Sequence, residues 1–192
     1  MKKSFCEKYG SLLIPLLFFL GFLLGVVWMC ISRDCWLTLI DRLEPDFLWK
    51  IEQIEVDKRA LFFLTVGKRL GALFWFWLLS YSLFRVPLTL GFFFYHGICV
   101  GMIMELLSIR YQVRGLLFYL GMVLPHGLFY ALGFGLSGVI FLKRRKDKTL
   151  EGKERGKRIS GGIAWAAVLA GIFMESYINP ELLKIMVGFL LE

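Results

Sequence analysis

Long apolar runs separated by short charged stretches dominate the chain. From Ser11 to Ile31 no charged residue occurs, and Lys2, Lys3 and Lys8 precede the run. About 20 apolar residues in a helix cross the roughly 30 Å hydrocarbon layer of a bilayer. A first span is therefore expected over 11–31, as a retained anchor, since no convincing small-residue cleavage site follows it. Within it, Gly21 and Gly25 form a small-xxx-small pair, a pattern of helix contact faces. The next apolar stretch, Ala60 to Phe84, is interrupted by Lys68 and Arg69. The part after the interruption would rise only about 22 Å. The second span, 66–84, is accordingly expected to begin before Lys68, with both basic side chains snorkelling to the interface. Arg85 and Pro87 end it in a tight reversal.

A third span is expected over 88–107, with Glu105 near its exit and Arg110 and Arg114 in the short loop beyond. Leu116 to Leu142 is longer than one straight crossing needs, and Pro125 removes a helical donor there, so the fourth span, 116–142, is expected to be kinked. A fifth span, 159–177, is closed by Asn179-Pro180. The apolar remainder, Leu182 to Leu191, is too short to cross and is expected on the surface or packed back against the bundle. Only helices or closed barrels satisfy backbone polar groups in lipid. The expected fold is all-α, a polytopic membrane protein with a bundle of about five transmembrane helices and a kinked fourth helix, forming a single integral membrane domain over 1–192.

Composition agrees with the pattern. Hydrophobic residues make up 58% of the 192 residues, mean hydropathy is +0.67, and there are 19 Phe, 7 Tyr and 6 Trp. An ordinary soluble core, a collagen-like repeat, a disordered chain and a disulfide scaffold are all excluded. Cys6, Cys30, Cys35 and Cys99 show no paired CxxC spacing and read as structural or incidental.

Charge sets the orientation. The net charge is +8, and residues 143–158 alone hold nine basic residues against Asp147, Glu151 and Glu154. This run is expected to be a basic cytoplasmic loop near anionic membrane lipid. Nucleic acid is not an expected partner, because no folded basic domain accompanies the run. Residues 32–59 are mixed and acidic, with a Glu44-Pro45-Asp46 turn followed by Phe47, Leu48, Ile51, Ile54 and Val56 interleaved with charge. They are expected to form an extracytoplasmic amphipathic loop with a short helix on the membrane surface. The N-terminus is then cytoplasmic and the C-terminus extracytoplasmic in a bacterial plasma membrane. Lys58, Arg59, Lys68 and Arg69 on the outer side run against this assignment.

Few polar groups lie within the spans. His96 sits near the middle of the third and His126 near the middle of the fourth; ionisable groups at such depth are functional candidates. Two histidines make a poor metal site, and Glu105 and Glu175 lie nearer helix ends, so no metal or cofactor is expected. A hydrogen-bonded interhelical pair of neutral imidazoles is expected instead. Tyr95-His96-Gly97 with Gly101 echoes Pro125-His126-Gly127 with Gly133, and these glycines would let the third and fourth helices approach closely. Gly133, Gly135 and Gly138 spell GxGxxG, but no strand precedes them. Gly135-Leu136-Ser137-Gly138 resembles the nucleophile motif of rhomboid intramembrane proteases; no histidine follows Ser137, and glycine-rich helix packing is the expected role. HExxH is absent.

Leu124-Pro125-His126-Gly127, together with Glu175-Ser176-Tyr177-Ile178-Asn179-Pro180, resembles the stage II sporulation protein M family of bacterial integral membrane proteins. The order of features resembles it as well: a basic N-terminal anchor, an outer loop, a glycine-bearing central helix pair, the PHG helix, a basic loop, and a last helix ending in E-x-Y-x-x-P. Motif residues carried over are Pro125, His126, Gly127, Glu175, Tyr177 and Pro180, with His96, Gly97 and Gly101 from the echo. Two positions depart from the family. Its members commonly carry a glutamate shortly after PHG, where this chain has Phe129-Tyr130, and often an asparagine at His96. Tyr130 can hydrogen-bond but supplies no charge near neutral pH.

The resemblance implies a non-enzymatic membrane scaffold for endospore formation. Such a scaffold recruits two peptidoglycan-degrading partners, a transglycosylase and an amidase-endopeptidase, to the septal membrane during forespore engulfment. No catalytic residues are expected, and residues 32–59 and 108–115 are the expected partner surface. The alternative is a small membrane transporter or transporter subunit using the His96/His126 region.

Overall fold

A computed structural model of the protein describes residues 5–38, 56–79, 82, 84–142 and 151–191. Helix is the only regular structure among them. In order they form α1 (Phe5–Ile31), a helical turn over 33–38, α2 (Lys58–Leu79), α3 (Arg85–Leu142), α4 (Glu151–Phe173), a π-helical turn (Met174–Ile178) and α5 (Asn179–Leu191). The stretches Leu12–Ile31, Lys58–Leu78, Arg85–Leu142 and Ile159–Gly188 are long and apolar enough to cross a membrane. The fold is all-α and multi-pass.

The helix α3 is not one rod. Its 58 residues would extend about 87 Å if straight, nearly three hydrocarbon layers. Gln112 breaks it with φ 53° and ψ −131°, the one non-glycine residue of positive φ among the described residues. The arms 85–111 and 113–142 fold back on each other: the Phe92 and Phe134 rings lie 5.5 Å apart, and a Cβ on Gly138 would meet the Phe93 ring. Gly115 makes the reversal tight, because a Cβ there would strike the carbonyl oxygen of Leu107. A left-handed Gln costs on the order of 1–3 kcal/mol, so the surrounding packing must hold the turn.

Glycines join α1 to the first arm of α3. A Cβ on Gly21 would collide with the Phe94 carbonyl, one on Gly25 with that of Ile98, one on Gly97 with that of Phe18, and one on Gly101 with that of Phe22. These contacts advance together along both helices, which therefore run parallel. Between helices in lipid the hydrophobic effect is nearly absent, and close backbone approach supplies packing instead. At the far end of the seam the Cys30 thiol donates to Glu105 Oε1 at 3.4 Å.

Aromatic packing holds the other helices. Ile14, Phe76, Phe93, Phe141 and Leu142 form one buried cluster, with the Phe76 ring 4.6 Å from Phe92 and 5.0 Å from Phe141. Leu73, Val168 and Ile172 form a second, packed against Tyr130, Phe134 and Trp165. Gly133 lies against Ala164 and Val168, and Gly121 against Met186, so the C-terminal helix runs antiparallel to the second arm.

Several expectations change. The second apolar helix begins at Lys58 rather than near 66, which places Lys68 and Arg69 inside it. The third and fourth helices extend to 85–111 and 113–142, leaving Gln112 alone as their break. The backbone leaves helical geometry at that break, and helix continues through Pro125. The last helix does not stop at Asn179-Pro180. It passes through the π-turn into α5 and reaches Leu191, since a local π adjustment accommodates a proline whose ring and missing N–H would otherwise disrupt an α-helix. Residues 151–158 of the expected basic loop are the start of α4, while 143–150 lie outside the described residues. Most of the expected amphipathic loop, 39–55, also lies outside them.

The glycine seam is testable. Gly97→Ala is expected to destabilise the detergent-solubilised protein by about 1–3 kcal/mol through overpacking. Gly67→Ala, with open space around its Cβ, is expected to be neutral or slightly stabilising. Indistinguishable melting temperatures for the two variants would contradict the seam.

Candidate functional site

The two histidines do not meet. His96 is exposed, its ring packs 4.1 Å from that of Phe92, and its Nδ1 lies 2.9 Å from the Phe92 carbonyl oxygen on its own helix. Adjacent positions on a helix are about 100° apart, so turning the Gly97 and Gly101 face onto α1 carries His96 to the side. His126 packs against Tyr130 with ring centroids 5.7 Å apart. The expected histidine pair is thus replaced by two separate environments. Nor do the echo glycines join the two arms. Gly97 and Gly101 serve α1, while a Cβ on Gly127 would meet only Val123 of its own helix.

What the fold does bring together is Arg69, Tyr130 and Glu175. Arg69 Nη2 donates to Glu175 Oε1 at 2.8 Å, and Arg69 Nε donates to Oε2 at 3.0 Å. The Tyr130 hydroxyl also donates to Oε2, and the Arg69 guanidinium lies 4.9 Å from the Tyr130 ring centroid. Bidentate geometry makes this pairing specific, and the ring face adds a cation–π attraction. Three parts of the chain converge here: α2, the second arm of α3, and the π-turn.

Local sequence explains the convergence. Arg69 lies midway along α2, about 16 Å of helix rise from Lys58. Within the bundle its charge is met by Glu175. Glu175 supplies the charge from the π-turn, a distortion common at functional sites. Gly171, one turn earlier, leaves room for the Tyr130 ring; a Cβ there would stand 2.7 Å from Tyr130 Cε1. A second ion pair, Lys58 Nζ to Glu181 Oε1 at 2.7 Å, ties the start of α2 to α5.

The remaining motif residues surround this cluster. Tyr177 stacks on Phe173 at 4.8 Å and tilts against Phe62 of α2 at 5.9 Å. Pro180 follows directly after the π-turn and Asn179. Among the described residues, the buried polar atoms His126 Nδ1, Ser176 Oγ and Asn179 Oδ1 make no hydrogen bond. Each belongs to a residue within one helical turn of Tyr130 or Glu175, so the strain of unsatisfied polarity concentrates beside the ion pair. Ser137 is fully buried; its hydroxyl donates to the Gly133 carbonyl at 2.9 Å and accepts from Trp77 Nε1 at 3.3 Å. Among the described residues no three His, Cys, Asp or Glu side chains converge on a metal position.

Arg69 and Tyr130 were missing from the residues that sequence motifs singled out. The signal that could have found Arg69 was electrostatic, since an arginine and a glutamate within membrane-spanning helices need each other; Tyr130 stood out only as a departure from the family.

Removing one partner of this pair strands the other charge. Arg69→Leu and Glu175→Leu are each expected to destabilise the protein by about 3–5 kcal/mol, less if water reaches Arg69, whereas replacing both partners is expected to be far less costly. Melting of the two single variants and the double variant in detergent or bicelles measures the coupling. Strictly additive losses would show that the two side chains are independent.

The family model SpoIIM, described as Stage II sporulation protein M, matches residues 14–180. No curated protein and no solved structure matches the chain. The matched residues run from the glycine seam of α1 through the Pro125-His126-Gly127 turn of helix to Glu175 and Pro180, and so contain every element of the cluster. The chain belongs to the SpoIIM family of membrane proteins.

Proposed function

We propose that this protein is a non-enzymatic scaffold of the sporulating cell's membrane, which brings peptidoglycan-degrading proteins to the septum during forespore engulfment. Family membership points to a role in sporulation membrane processes, and the resemblance adds the scaffold role. The observation that carries this reading is the closure of the central cluster. Both oxygens of Glu175 are engaged by Arg69 and Tyr130, so this pair is spent on holding α2, α3 and the C-terminal helix together. A rigid bundle of this kind suits the display of an outer segment to partners.

The topology we propose counts the α3 hairpin as two crossings, giving five. What supports it is the alternation of helix direction. Ile14, Phe76, Phe93 and Leu142 share one cluster, so one end of the bundle collects the start of α1, the end of α2, the start of α3 and the end of α3 at Leu142, which the basic run follows in sequence. We assign that end to the cytoplasm, with residues 32–59 and the Gln112 turn outside.

A pull-down from mildly solubilised sporulating cells tests the function. Wall hydrolases are expected to be recovered with the intact protein and lost on deletion of 39–55. Equal recovery without that segment would remove it as the contact surface. A deletion strain whose membranes wrapped the forespore normally would overturn the scaffold reading itself.

A further inference from the structure

A groove of about 350 Å³ runs along the outer side of the bundle where Phe76 of α2 meets the start of α3. Arg85 stands at one end and Tyr95 at the other, with Leu88, Gly91 and Phe92 between them. Leu88 and Tyr95 are 41% and 63% exposed, so the groove opens outward and not toward the core. From Arg85 to Tyr95 the helix rises about 15 Å, half of a roughly 30 Å hydrocarbon layer. The groove therefore has the length of one leaflet, with its cation at one end and an almost wholly apolar path beyond.

Charge singles out the occupant. The Arg85 end is also the Leu142 end, since Phe76, Phe93 and Leu142 belong to one cluster. In the chain, Leu142 is followed directly by Lys143, Arg144, Arg145 and Lys146. Basic residues next to a membrane-crossing helix attract anionic headgroups. A soluble peptide would have no reason to meet an apolar channel that begins at a helix end and runs toward mid-bilayer. We propose that this groove binds one anionic phospholipid, with its phosphate on Arg85 and one acyl chain lying along Leu88, Gly91, Phe92 and Tyr95 over Phe76.

Gly91 lines the groove and a Cβ there meets nothing within 4 Å, so the backbone accepts a side chain at this position. The full-length protein in mild detergent is titrated with phosphatidylglycerol or phosphatidylcholine, and retained lipid is counted by native mass spectrometry. Circular dichroism and gel filtration verify folding. The wild type is expected to retain phosphatidylglycerol about fivefold more than phosphatidylcholine, the preference one basic residue confers at a membrane surface. Arg85→Gln is expected to abolish that preference, and Gly91→Phe to reduce retention of both lipids. Folded Arg85→Gln and Gly91→Phe proteins that retain phosphatidylglycerol like the wild type would overturn the proposal. So would a Gly91→Phe variant that splits a dimer of this chain without changing lipid retention, since the groove would then belong to a second copy.

Discussion

A charge placed in lipid must find its counterion within the protein, and in this chain that requirement joins Arg69 to Glu175. The pair is bidentate, with N···O distances of 2.8 and 3.0 Å. It ties the early helix α2 to the last helix across most of the sequence. Tyr130 completes it from the second arm of α3, so three helices share one electrostatic knot. Charge neutrality is what makes such burial tolerable, while the cost of taking both ions out of water means the pair specifies an arrangement more than it adds stability. The π-turn at Met174–Ile178 carries Glu175, and the orphaned polar atoms of His126, Ser176 and Asn179 sit in the same neighbourhood.

Away from that knot the bundle relies on shape. Glycines on α1 and the first arm of α3 remove side chains where two backbones pass, and phenylalanines fill the wider spaces beside them. Gly21, Gly25, Gly97 and Gly101 carry the first role, and Phe76, Phe92, Phe93 and Phe141 the second. Large apolar side chains such as Leu16, Phe19 and Leu23 on α1 remain exposed, as suits surfaces that meet acyl chains.

Much of the architecture was legible in the sequence, because hydrophobic length is a strong signal when backbone groups must be satisfied in lipid. The existence of the apolar helices, the reversal near Arg85 and the polar turn between Arg110 and Arg114 all follow from it. Helix ends were less legible: the second helix starts at Lys58 and not near 66, and Asn179-Pro180 looks like a boundary, yet helix runs through it by way of a π adjustment. The central cluster was half legible. Glu175 stood out through its motif, but Arg69 read as a snorkelling residue because its partner lies 106 positions away. Tyr130 read as a lost charge, whereas its hydroxyl and ring serve both members of the ion pair. The histidine echo misled because rotation about the helix axis, which a short motif does not encode, decides what a side chain meets.

The family match and the ion pair together describe a SpoIIM-family membrane protein whose helices are tied to one another at Arg69, Tyr130 and Glu175. Whether Arg69 is truly paired inside the bundle can be read without mutation. Solid-state NMR of the full-length protein in bilayers, with labelled arginine nitrogen and glutamate side-chain carbon, measures the dipolar coupling between Arg69 and Glu175. Strong coupling, as expected for the 2.8 Å contact, is the predicted result. An Arg69 guanidinium coupled instead to lipid phosphorus, with none to Glu175, would mean that it snorkels to the headgroups and that the knot at the centre of this fold does not exist.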